Sequence, residues 1–113
     1  MTESVLDTGL VSELCEIMGD DFDGLVEAFV RDGEERLQAL KGAAASESDP
    51  EQIRQMAHSF KGSSSNLGAL EMTRLCLELE HQAGDQAQVQ RLVAELESAF
   101  ARACQALTEL RAG

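Results

Sequence analysis

Apolar residues recur at three- and four-residue spacing along almost the whole chain, and the breaks between periodic stretches carry residues that start and stop helices. Five helices are predicted. The first, over 7–18, places Leu6, Leu10, Leu14 and Ile17 on one stripe and ends at Gly19. Asp20 or Asp21 then caps a second helix over 21–45, whose stripe runs Phe22, Leu25, Val26, Phe29, Val30, Leu37, Leu40 and Ala44. After a polar connection from Ser46 to Asp49, the third helix covers 50–67, with Asp49 as N-cap, Pro50 at the first position and Gln52 reaching back from the third. Gly68 can take the left-handed conformation that ends it. A fourth helix over 69–83 buries Leu70, Met72, Leu75, Cys76 and Leu79 in some combination and stops at Gly84. Asp85 with Gln88 repeats the capping pattern for a fifth over 86–111, carrying Val89, Leu92, Val93, Leu96, Ala99, Phe100, Ala103, Leu107 and Leu110. Short connections force neighbours to run antiparallel, so the expected fold is all-α: an up-down four-helix bundle with a short additional N-terminal helix, forming a single domain over 1–113.

Composition supports helix, since Ala, Leu, Glu and Gln abound while Trp and Tyr are absent and Pro occurs once. Nine Lys and Arg stand against 21 Asp and Glu, a formal charge of −12 that repels phosphate backbones and anionic membrane surfaces. No nucleic-acid partner is expected. The first ten residues lack the basic and apolar regions of a signal peptide, and no apolar run approaches the roughly 18 residues of a membrane span. A cytoplasmic protein without a membrane partner is the expectation. Cys15, Cys76 and Cys104 are odd in number and widely spaced, which points to neither a disulfide framework nor a zinc site.

The candidate chemistry lies on the third helix. At about 100° per residue, Ile53, Ala57, Phe60, Ser64 and Leu67 fall within an arc of roughly 80°, which is the core face, and His58 points away from it. Gly62 and Ser65 lie within about 40° of His58, flanked by Arg54, Gln55 and Lys61 at about 60° or less. A glycine inside a helix costs about 1 kcal/mol relative to alanine, so Gly62 on an exposed face implies close approach by another molecule. Imidazole, with a reference pKa of about 6.5, offers a neutral nucleophilic nitrogen near neutral pH, and Nε2 projects farthest from the helix. Phosphoryl transfer spreads charge over three equatorial oxygens, and Lys61 is placed to stabilise it.

Residues 57–69, A-H-S-F-K-G-S-S-S-N-L-G-A, resemble the signature H-x-x-K-G-x-x-x-x-x-G of the histidine-containing phosphotransfer (HPt) family. Leu75, Cys76, Leu79 and Glu80 are similar to the family's L-C-x-x-L-E, and the likeness extends over roughly 6–107. It implies that His58 is the phosphorylated residue, Lys61 the stabilising cation, Gly62 the clearance for a partner's loops and Ser65 a hydrogen-bond partner of the imidazole or phosphoryl group. Arg54, Gln55, Ser59 and Asn66 complete the implied partner surface, with the adjoining face of the second helix as its second wall. The resemblance further implies a phosphocarrier rather than an enzyme, with no cofactor or metal of its own. Mg²⁺ and the acidic pocket belong to the partners, the receiver domains of hybrid sensor histidine kinases and response regulators. A relay face that must stay open argues for a monomer.

Three other readings compete. Glu78 and His81 form one E-x-x-H, half of the di-metal motif of ferritin-like bundles, but that site needs a second E-x-x-H and two more inward-facing Glu. His58 is preceded by Gln55, and its face points outward; His81 alone reads as a cation in the last turn of the fourth helix. Gly62 to Gly68 is not a phosphate-binding loop, because no Lys-Ser/Thr pair follows the second glycine. The remaining alternative is an interaction bundle with no phosphotransfer.

Overall fold

The computed structural model describes residues 5–46 and 49–112, so Glu47 and Ser48 of the polar connection, like the first four residues and Gly113, lie outside the described residues. Five α-helices follow one another and no strand occurs among the described residues. They are α1 (Thr8–Met18), α2 (Asp21–Ala45), α3 (Pro50–Asn66), α4 (Leu70–His81) and α5 (Gln86–Ala112). α2 packs against α1, α3 and α5, while α4 packs against α3 and α5, closing a ring of four helices around one core. No described helix is long and apolar enough to cross a membrane.

Capping chemistry sets several of the boundaries. Asp7, Asp49 and Asp85 accept the backbone N–H groups of Leu10 (3.2 Å), Glu51 (3.0 Å) and Gln88 (3.2 Å), each satisfying an otherwise orphaned donor. Gly68, at φ +67°, ends α3 in a Schellman turn: its N–H donates to the Ser65 carbonyl at 3.0 Å and that of Ala69 to the Ser64 carbonyl at 2.9 Å. The N-terminal segment is strapped to this turn, with Asp7 N–H on the Gly68 carbonyl (2.7 Å) and Leu70 N–H on the Val5 carbonyl (3.1 Å). These bonds fix the end of the helix that carries His58.

Several expectations change. Ile17 is 81% exposed, whereas Val11 is buried at 1%. The inner face of α1 centres on Val11 with Leu14, Cys15 and Met18 beside it, and Ile17 lies about 120° round from Val11. α1 rests on α2 as a lid, so its burial direction follows from one neighbour rather than from its own pattern. Asp20 stands at the N-cap of α2 but makes no side-chain cap bond, because its αR backbone (φ −65°, ψ −22°) is not the extended one a capping side chain needs. α4 is three residues shorter than expected, with Gln82 as its C-cap, and α3 stops one residue early, with Leu67 as its cap. Of the residues offered for burial on the fourth helix Leu70 is left out, 40% exposed, and Leu110 at the end of the fifth helix's stripe is 48% exposed.

The core is built mainly from Leu, Ala and Val, with a small aromatic cluster in which Phe100 packs on Phe29 (centroids 5.8 Å) and edge-on to Phe60 (6.2 Å). Its ring occupies the space left by Gly33 in α2: a Cβ there would sit 2.2 Å from Phe100 Cε1. Ser64, fully buried on the core face of α3, returns its hydroxyl to the Phe60 carbonyl at 2.8 Å.

Candidate functional site

α3 buries Ile53, Ala57, Phe60 and Ser64 and thereby turns His58 outward, its side chain 72% exposed. The imidazole is nevertheless held. Its Nδ1 lies 2.8 Å from Oε1 of Glu80 on α4, and the second oxygen of that carboxylate accepts from Lys61 Nζ at 2.7 Å. One carboxylate, only 12% exposed, therefore ties together two residues of α3. A carboxylate can only accept, so in the neutral ring this contact places the proton on Nδ1 and leaves the lone pair on Nε2.

Burial pushes the Glu80 carboxyl upward, but the hydrogen bonds from Lys61 and His58 and their charges outweigh it and hold its pKa below the usual 4.5. Nearby is Cys76, fully buried, its thiol pushed up to about 12 by burial first and by the Glu80 charge second, with Lys61 opposing. Cys76 is thus a neutral, unreactive spacer.

The other expected site residues share this face without converging on the imidazole. Gly62 is exposed, and a Cβ there would meet nothing within 4 Å. Gln55 is exposed, and Arg54 is paired with Glu51 on its own helix. Ser59 accepts a hydrogen bond from Arg36 of α2. Ser65 is two turns, about 10 Å, beyond His58 along the axis, and the ring's partner is Glu80 instead. Asn66 closes α3 at the rim of a small cleft toward α2 that also includes Ser63, Leu25 and Asp32. Glu78 is engaged by Arg74 at 2.9 Å and His81 is exposed, so the E-x-x-H pair faces no interior site.

Sequence reasoning noted Glu80 only as part of a motif. Two signals could have found it. It is an acid in the last turn of α4, where the helix dipole disfavours negative charge, and it lies about 40° round the helix from the core residue Cys76.

The crystal structure of histidine-containing phosphotransfer protein B (HptB) from Pseudomonas aeruginosa PAO1 is similar to this one, with a TM-score of 0.88 and 35% sequence identity over 97% of this chain and 96% of that one. No curated protein matches the sequence. The family model for the Hpt domain matches residues 24–111, which include His58, Lys61, Gly62 and Glu80, and the chain belongs to the Hpt domain family.

Proposed function

We propose that this chain is a phosphorelay intermediate whose His58 Nε2 accepts a phosphoryl group from an aspartate of a hybrid sensor kinase's receiver domain and passes it to an aspartate of a response regulator. Hpt proteins are phosphocarriers that interact with receiver domains of two-component systems. The observation that carries the reading for this chain is the exposed imidazole held through Nδ1 by Glu80, with Lys61 on the same carboxylate. The ring of helix contacts supports the up-down bundle as its scaffold.

In this reading Nε2 attacks phosphorus as the aspartyl oxygen–phosphorus bond breaks, and that bond's electron pair returns to the receiver's carboxylate. The Nδ1 proton stays where it is. The imidazolium so formed is neutralised by Glu80, and the reverse transfer requires no proton from solvent. Lys61 stands one turn from His58, where its charge offsets that gathering on the equatorial oxygens. Mg²⁺ is left to the receiver, as is catalysis of the transfer. The carrier works in the cytoplasm as a monomer with this face open.

Incubation with a phosphorylated receiver tests the assignment. Wild type and His81→Ala should take up acid-labile, base-stable label, and His58→Gln should take up none. Label that survives in His58→Gln would remove His58 from the relay, and a wild type that no receiver labels would favour a bundle that only binds.

A further inference from the structure

In a chain of net charge −12, acidic groups are abundant enough to neutralise every cation. Among the eight Lys and Arg whose side chains are described, seven form ion pairs with a carboxylate: Arg31, Lys41, Arg54, Lys61, Arg74, Arg91 and Arg102. Arg36 does not. Its guanidinium crosses from α2 to donate to the hydroxyl of Ser59, the residue after His58. Asp32, one turn earlier on α2 at the spacing and orientation that favour an ion pair, lies against Arg31 instead. A guanidinium offers five donors in a fixed fork suited to a carboxylate, and a neutral hydroxyl leaves most of that capacity unused.

Arg36 also borders a groove of about 310 Å³ between α2 and α3, with Ala39, Gln55, Met56 and Ser59 as its other walls. The groove is continuous with the face that presents His58, and its floor is apolar. We propose that Arg36 determines which receiver docks: the guanidinium exchanges the Ser59 hydroxyl for a carboxylate on the receiver's docking face, while the groove takes an apolar side chain beside it. This rests on the relay reading and adds to it a selecting residue on α2, outside the motif.

The test uses the isolated receiver domain that transfers fastest to the wild type among the receivers of the host genome. Transfer is measured against receiver concentration at low and high salt for wild type, Arg36→Met, Arg36→Lys and Arg36→Glu. Methionine retains the packing of the stem without the charge. The half-saturating receiver concentration should rise about tenfold in Arg36→Met, more in Arg36→Glu and least in Arg36→Lys, with the limiting rate maintained. The salt dependence of half-saturation should flatten in Arg36→Met. Labelling by phosphoramidate, a donor with no docking surface, reports that His58 is intact in each variant. An Arg36→Met protein that keeps the wild-type half-saturation and salt dependence overturns the proposal and leaves the relay standing; so does one that loses only its limiting rate. A wild type labelled by phosphoramidate but by no receiver overturns both.

Discussion

Two glycines inside neighbouring helices should respond to the same substitution with opposite signs. At Gly62 an added methyl has open space, so Gly62→Ala gains helix propensity and nothing opposes it. The expected gain is about 1 kcal/mol, or roughly 4 °C in Tm for a domain of this size. At Gly33 the methyl would lie 2.2 and 2.6 Å from Phe100 Cε1 and Cζ, and the ring cannot swing freely because Phe29 and Phe60 pack on it. Overpacking of that kind costs about 1–3 kcal/mol, which exceeds the propensity gain, so Gly33→Ala should melt several degrees lower. Stability alone does not test function, and Gly42 supplies the control: it is also helical and open, and Gly42→Ala should stabilise equally while leaving transfer untouched. If Gly62 is the clearance for a receiver, Gly62→Ala weakens docking despite its higher Tm. Gly62→Gln should then lose about 10²-fold in transfer from a receiver, the scale of a 1 Å misplacement of reacting groups, while phosphoramidate still labels His58. The assay is a pair of rates per variant beside a thermal melt. Equal receiver rates for wild type and Gly62→Gln would refute the steric role, and a lower Tm for Gly62→Ala would refute the open environment.

Glu80→Gln keeps an acceptor for the Nδ1 proton and removes the charge, so nitrogen-15 spectra should still show the Nδ1–H tautomer while receiver transfer falls by roughly tenfold, about the value of one charge-assisted hydrogen bond. Glu80→Ala should lose the tautomer preference as well; an unchanged spectrum there would show that Glu80 does not orient the ring. Lys61→Ala should slow transfer and shorten the life of phosphohistidine, and should lower Tm without unfolding the protein, because Lys61 is one of two partners of the mostly buried Glu80 carboxylate; rates equal to wild type would remove its charge-stabilising role. The Glu80 pKa is lower folded than unfolded, so the stability it contributes is complete above the unfolded value near 4.5 and is lost as pH falls through the lower folded value. The Tm difference between wild type and Glu80→Gln should therefore shrink as pH falls from 6 to below about 4, and a difference that grew with acidity would reverse the assigned sign.

Most of α2, α3 and α5 could be read from the sequence because long helices buried on one side repeat their pattern often enough to fix both register and face. The outward direction of His58 was legible for that reason: with Ile53, Ala57, Phe60 and Ser64 inward, it follows from helical geometry. α1 failed where its pattern is short and one neighbour decides what is buried, which turned Ile17 out and Val11 in. The end of α4 failed for a related reason, since the helix gives way to a turn at Gln82 before the glycine expected to stop it. Glu80 and Arg36 lie 22 and 23 residues from their partners on α3, and no local spacing rule connects positions that far apart. Only the packing of α4 and α2 against α3 brings them to the imidazole's neighbourhood.

Residues that break local rules divide by where their compensation is found. Gly33 weakens the middle of α2, and the ring of Phe100 fills the space it leaves, so its compensation is structural and internal. Glu80 places a mostly buried negative charge at the wrong end of a helix, and Lys61 with His58 offsets it, so its compensation is internal but made by the residues that would carry the chemistry. A neutral residue at 80 would suit α4 better in isolation, which is the argument that the carboxylate answers to the imidazole rather than to the fold. Arg36 has a carboxylate at good spacing and leaves it for a hydroxyl beside His58. Nothing within the described chain balances its charge at contact distance, and in the proposed relay the face it stands on is the one a receiver would cover to reach Nε2. If the proposal holds, the compensation for Arg36 comes from the partner, where recognition rather than stability is decided.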